Sequence, residues 1–183
     1  MSVVYNTVIN QGANWFINFQ YKQPATITNI TGNGTTVTFT AANNFTGGQT
    51  VSIDGVLPSQ YNFQGATIAT RTTTAFTVTN PATGTYISGG LATVPINLTG
   101  YTAALQIRSL PESPTAVLSL ATGGNGITIP TPTNGTVVVE ATATQTRAIV
   151  AGTYYYDIEI TSTGGIVYRL AQGQVVVSAE VTR

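Results

Sequence analysis

The 183 residues suffice for one domain or two small ones, and six basic against six acidic side chains leave no basic stripe for nucleic acid. The chain has no Cys and no His, which excludes disulfides, thiolate metal sites and the usual general base of a catalytic triad. Charged residues make up only 7%, but 42% are apolar and mean hydropathy is +0.18, so a packed core is expected rather than a disordered coil.

Thr is the commonest residue, 35 in all, and Val, Ile and Tyr are abundant. Such β-branched and aromatic residues fit pleated, half-buried surfaces, so the chain reads as all-β, with its 19 Gly and 8 Pro serving as turns. In chain order, Val3 to Ile9 predicts a short strand and Asn10-Gln11-Gly12-Ala13 a turn. Trp15 to Tyr21 predicts a strand with Trp15, Ile17, Phe19 and Tyr21 on one face, ended by Pro24. From about Ala25 the composition shifts, and Asp54 and Arg71 are the only charges between Lys22 and Arg108. Strands are expected at Thr26–Ile30 and Thr36–Thr40 around the Asn33-Gly34 hairpin signal, and at Gln49–Ile53 with Asp54-Gly55 as its turn. Pro58 to Asn62 reads as a loop. Ala66–Thr70 and Ala75–Thr79 form the next pair, Asn80-Pro81 stops them, and Gly89-Gly90 returns the chain.

After Pro95 the residue pattern of the first 24 positions resumes. Tyr101, Ala103, Leu105 and Ile107 alternate on one side of a strand. Ala116–Leu120, Gly126–Ile129 and Gly135–Glu140 are further strands, and Ala141 to Ile149 is the only segment suited to a helical turn. Thr153–Ile160 and Ile166–Leu170 pair across Ser162 to Gly165, and Gln174 to Val181 closes the domain. The expected architecture is one β-sandwich made of 1–24 and 94–183, interrupted by an inserted small β-barrel or sandwich module over 25–93. Gly152-x-Tyr154-x-Tyr156 after a helical turn resembles the tyrosine corner of immunoglobulin-type sandwiches. Tyr156 then stands where such domains often place a Cys, so packing must replace a disulfide.

Candidate chemistry is sparse. Asp157 and Glu159 share a strand face ~6.5–7 Å apart along the backbone, the arrangement of a glycosidase pair or of a solvated ion pair with Arg169 across the hairpin. The ion pair is the expected reading, because a working pair needs a cleft and opposed environments. Asp54 reads as a turn residue rather than a cation ligand. Thr142 to Thr146 has hydroxyls but no neighbouring base, and reads as a capped helical turn. Asn-x-Thr triplets such as Asn29-Ile30-Thr31 and Asn97-Leu98-Thr99 are expected by chance in so Thr-rich a chain. Trp15 is expected in the core. Tyr61, Asn62 and Phe63, in a Pro-Ser-Gln-Tyr-Asn-Phe loop, are either a cap on the small barrel or an interaction loop, a platform for sugars or for a protein partner. No catalytic residue, cofactor or metal site is expected.

The phrases Gln11-Gly12-Ala13-Asn14-Trp15-Phe16, Pro95-Ile96-Asn97-Leu98-Thr99-Gly100-Tyr101, Gln106-Ile107-Arg108 and Gly152-x-Tyr154-x-Tyr156-Asp157-Ile158-Glu159, with the ending Val181-Thr182-Arg183, occur in this order. Together they resemble the N-terminal domain of bacteriophage upper-baseplate proteins, a domain also found in small stand-alone virion proteins. The resemblance covers about 1–24 and 94–183. Residues 26–92 resemble a small β-module frequent in phage tail and fibre proteins, on Gly48-x-x-Val51-x-Ile53-x-Gly55, Pro58-x-x-Tyr61-Asn62 and Phe76-x-Val78.

The resemblance implies an immunoglobulin-like sandwich in a non-enzymatic structural protein of a tailed-phage virion. In that family the domain anchors receptor-binding parts to the particle. This sequence runs to Arg183 and spends its length on an insertion, so no receptor-binding coiled coil is expected after the sandwich, and a tail or baseplate adaptor and a capsid-decoration protein both stay open. The expected partners are other virion proteins in a symmetric multimer, with no nucleic acid and no membrane. The alternative is a host-surface or carbohydrate-binding module acting on a glycan through the insertion. The N-terminal stretch Met1 to Thr7 has no basic start and no long apolar run, so no secretory signal or membrane span is expected, and the protein is expected to be made in a cytoplasm and to end in the virion.

Overall fold

The structure, a computed structural model, describes residues 3–124 and 126–181. Thr182 and Arg183, which complete the last motif of the resemblance, lie outside the described residues. In chain order the strands are β1 (Val3–Val4), β2 (Thr7–Asn10), β3 (Trp15–Gln20), β4 (Lys22–Thr26), β5 (Asn29–Gly32), β6 (Thr36–Thr40), β7 (Thr50–Leu57) and β8 (Phe63–Arg71). They continue with β9 (Ala75–Thr79), β10 (Ser88–Pro95), β11 (Thr102–Arg108), β12 (Leu118–Ala121), β13 (Ile127–Thr128) and β14 (Thr136–Ala141). A short helix, α1 (Ala143–Arg147), precedes β15 (Gly152–Thr161) and β16 (Val167–Ser178). The fold is all-β. The chain divides into two compact units, 1–21 with 97–183, and 22–96.

The first unit is a two-sheet sandwich of immunoglobulin-like pairing. One sheet has the order β13-β14-β3. The other runs β1-β16-β15-β11-β12, with β2 also paired to β16. In immunoglobulin notation these are strands D, E and B against G, F, C and C′, with the opening strands β1 and β2 lying parallel to G. Period-two alternation places Trp15 and Ile17, Val137 and Val139, Leu105 and Ile107, Ile158 and Ile160, and Val175 and Val177 in the interior.

The tyrosine corner is present. The Tyr154 hydroxyl donates to the carbonyl of Val150, four residues upstream, at 2.7 Å. Tyr156 is buried and its hydroxyl donates to the Tyr5 carbonyl at 2.7 Å, so a hydrogen bond ties this strand to the amino-terminal segment where a disulfide is common elsewhere. Helix α1 opens with a capping box. The Gln145 N–H donates to the Thr142 hydroxyl, and the Thr142 N–H to the Gln145 side chain.

The second unit is a sheet of order β4-β10-β7-β8-β9-β6-β5. Its two ends meet, because β4 and β5 are the halves of one bent segment. The Ile27 N–H donates to Gly90 of β10, and the Thr28 N–H to Thr40 of β6. The sheet therefore curls into a small barrel. Its core holds Phe39, Phe45, Val51, Ile53, Tyr61, Ile68, Phe76, Val78 and Val94. Phe39 stacks on Phe76 with ring centroids 5.2 Å apart.

Four expectations about elements are corrected. Pro24 does not end a strand. It lies inside β4, opposite Thr93 of β10, where the missing N–H is tolerated because β4 has no strand partner on its other side. Asp54-Gly55 is not a turn, since β7 runs through it, and Gly89-Gly90 lies within β10. Gly55, Gly89 and Gly90 have φ of 73°, 76° and 112°, and the β7–β10 register skips both Gly55 and Gly90, so these glycines form an irregularity inside a continuing pair. Ile166–Leu170 and Gln174–Val181 are not separate strands. They belong to one strand, β16, interrupted by a bulge. Because β4 and β10 pair from Lys22 to Pro95, the unit boundaries fall at 21/22 and 96/97 rather than 24/25 and 93/94.

Candidate functional site

The outward face of the sandwich's larger sheet carries an ordered array of polar side chains. Strand register places Arg108, Tyr155 and Gln174 side by side across β11, β15 and β16. The next row is Gln106, Asp157 and Gln172, and the third is Ala104, Glu159 and Arg169. The third row depends on the bulge. Ile158 pairs with Ala171 but Glu159 pairs with Arg169, so Leu170 is an extra residue and turns inward beside Ala171. In an unshifted register Leu170 would pair with Glu159 and face outward.

The array is held together by its charges. Arg169 lies 3.3 Å from Asp157 and 3.6 Å from Glu159, and donates to the Gln172 side chain at 3.0 Å. Arg108 donates to the Gln106 side chain at 2.6 Å and to the Ser113 carbonyl. Between the loop at Pro111 and the edge residues Val4 and Asn6, these strands form the floor of an open groove of about 720 Å³. Two of the six basic and two of the six acidic residues of the chain line it. The carboxylate pair Asp157/Glu159 thus adopts the ion pair with Arg169. Both carboxylates face one cation, which does not supply the opposed environments of an acid and a base.

The Tyr61, Asn62 and Phe63 platform does not form as an exposed surface. Tyr61 has 0% of its surface exposed, and its hydroxyl donates to the Gly84 carbonyl at 2.7 Å. The Asn62 side chain accepts from the Val56 N–H and donates to the Val56 carbonyl, mimicking a strand partner. The Phe63 ring packs edge-on against Phe39 at 6.0 Å. A loop ring next to an open barrel end gains more by entering the core than by remaining in water. The exposed apolar side chains at this end are Leu57 and Ile87, joined by a hydrogen bond from the Ile87 N–H to the Leu57 carbonyl.

The remaining candidates take structural roles. Asp54 accepts from the Gln64 amide at 2.8 Å. Thr142 caps α1. The Thr146 hydroxyl, fully buried, donates to the Ala13 carbonyl at 2.8 Å. Asn97 turns its side-chain oxygen back onto the Thr99 N–H and hydroxyl. Trp15 is buried, its indole N–H directed at the Thr7 hydroxyl. Among the described residues no group of three His, Cys, Asp or Glu is placed to hold a metal ion, and no helix is long and apolar enough to cross a membrane.

Burial, with a smaller effect from Tyr5, pushes the Tyr156 phenol up to about 12. Burial also raises Tyr21, helped by the neighbouring Tyr168 and Tyr101. No protein-family model matches this chain, and no curated protein matches it.

Proposed function

We propose that this chain is a non-enzymatic structural module of a tailed-phage virion, docking on other virion proteins as a tail or baseplate adaptor or as a capsid-decoration protein. The observation that carries this reading is the part that the motifs of the resemblance play in the fold. The Gln11 side chain donates to the Ile149 carbonyl and accepts from the Glu180 N–H. Asn14 caps the Ala143 N–H, and Tyr154 and Tyr156 form the corner and the tie to Tyr5. These residues knit the two ends of the sandwich together, as residues shared within a structural-domain family would. The neutral chain offers little charge repulsion to assembly, and Val3, Val4, Val8, Phe16 and Val176 expose apolar surface for subunit contacts.

With Tyr61 and Phe63 packed into the barrel core, no specific observation favours a host-binding site on the insertion. The test is mass spectrometry of purified virions, followed by cryo-electron microscopy of the particle. The expected result is a symmetric set of copies on head or tail. A virion that lacks the polypeptide overturns the proposal.

A further inference from the structure

We propose that the groove on the outer face of the larger sandwich sheet binds a neutral oligosaccharide. This goes beyond the structural role above and uses different residues from the insertion loop. The groove crosses β11, β15, β16 and the edge at β1, three strand spacings or ~14 Å in all, which is room for a short run of sugar rings. Its volume of about 720 Å³ is within the usual range of small-molecule sites.

The chemistry favours hydroxyls over charges. Arg169 is engaged by Asp157, Glu159 and Gln172, and Arg108 by Gln106 and the Ser113 carbonyl. Arg108 keeps its charge beside neutral partners while Asp157 and Glu159 share the one cation of Arg169, so the two positive and two negative groups of the groove sum to zero and a charged ligand meets no net counter-charge. What remains directed at the groove is a set of hydrogen-bonding groups on planar side chains. The middle row sets two amides either side of a carboxylate, Gln106, Asp157 and Gln172. A sugar hydroxyl both donates and accepts, so neighbouring hydroxyls match that alternation of donor and acceptor.

Tyr155 and Gln174 complete the match. They are adjacent in the first row, and among the described residues neither the Tyr155 hydroxyl nor the Gln174 side-chain amide has a hydrogen-bond partner. Tyr155 also presents an aromatic body against which the apolar face of a sugar ring can pack. A polypeptide is a poorer fit. The groove lies on a sheet face whose backbone groups are already paired, and the aliphatic side chains lining it are Val4 and Pro111 at the two rims. The ion pairs fix the side chains before binding, which lowers the ordering cost of recognition.

The experiment is a neutral-glycan array probed with the full chain, followed by titration of soluble maltohexaose, cellohexaose, chitohexaose and any array hit, observed by amide chemical shifts. Saturable binding that perturbs β15 and β16, and weakens at least tenfold in Y155A and Q174A variants with unchanged amide spectra elsewhere, is the expected result. A preference for hexasaccharides over the free monosaccharides identifies a polysaccharide as the source. No saturable binding to any neutral glycan overturns the proposal, as do binding confined to charged glycans, binding of equal strength in both variants, or docking of a virion protein in this groove. Virion mass spectrometry reads the structural role separately, so the two proposals fail independently.

Discussion

Tyr156 combines two constraints that act on stability in the same direction. Its hydroxyl holds the Tyr5 carbonyl, and Y156F removes that part-buried bond. The expected cost is about 0.5–1.5 kcal/mol at pH 7, read from the denaturant midpoint. The same burial raises the phenol from its ordinary 10 to about 12. Between those values an unfolded chain has released the proton and the folded chain has not, so stability is full below pH 10 and falls as pH rises towards 12. Tyr21 acts with the same sign. Denaturation midpoints measured from about pH 8 to 12 should fall for the wild type and fall less for Y156F. Gly173 is a second expectation at this scale. A Cβ there would run into the Tyr5 carbonyl, which crosses closely between β1 and β2. G173A is expected to lose about 1–3 kcal/mol through a forced shift of the amino-terminal strand, again measured as a midpoint change.

Among elements, α1 shows how a five-residue helix is made to hold. So short a helix has almost no stability of its own. Its capping box closes the first turn, and Ala13 and Asn14 fix it to the other end of the unit. T142A should cost about 1 kcal/mol. T146V should cost about 0.5–1.5 kcal/mol, because it removes the hydroxyl's bonds to the Ala13 and Ala143 carbonyls. Midpoints unchanged from the wild type in both variants would contradict the assignment. The capped turn was legible in Thr142-x-x-Gln145, and the core faces of β3, β11 and β15 were legible in period-two alternation. The bulge in β16 was not. The Arg-Leu-Ala-Gln stretch satisfies alternation in either of two frames, and only pairing with β15 chooses which of Arg169 and Leu170 faces out. The glycines of β7 and β10 misled for a related reason. Gly marks a backbone with positive φ or a close approach, and a kinked stretch within a continuous strand pair needs that as much as a turn does.

For the molecule as a whole, the insertion enters and leaves at neighbouring places in each unit. In the sandwich, the Tyr21 N–H bonds the Gly135 carbonyl and the Leu98 N–H bonds the Pro132 carbonyl, so the two cut ends lie close on one side of the turn before β14. In the barrel, Lys22 pairs directly with Pro95. A chain joining Tyr21 to Asn97 through a short Gly-Ser linker, and a separate chain of 22–96, are each expected to give dispersed amide spectra and cooperative unfolding. A collapsed, undispersed spectrum from either would contradict the division into two units.

The sequence by itself determined the all-β class, the inward-facing residues of the principal strands, the tyrosine corner and the scarcity of reactive groups. These follow from local periodicity and residue chemistry. Only the tertiary structure decided that Tyr61 points into a core with Phe63 packed against it, and that β11 aligns its polar residues with those of the β15–β16 hairpin into one groove. Burial and cross-strand register depend on what lies opposite a residue in space, and a linear pattern of apolar and polar positions does not contain that information.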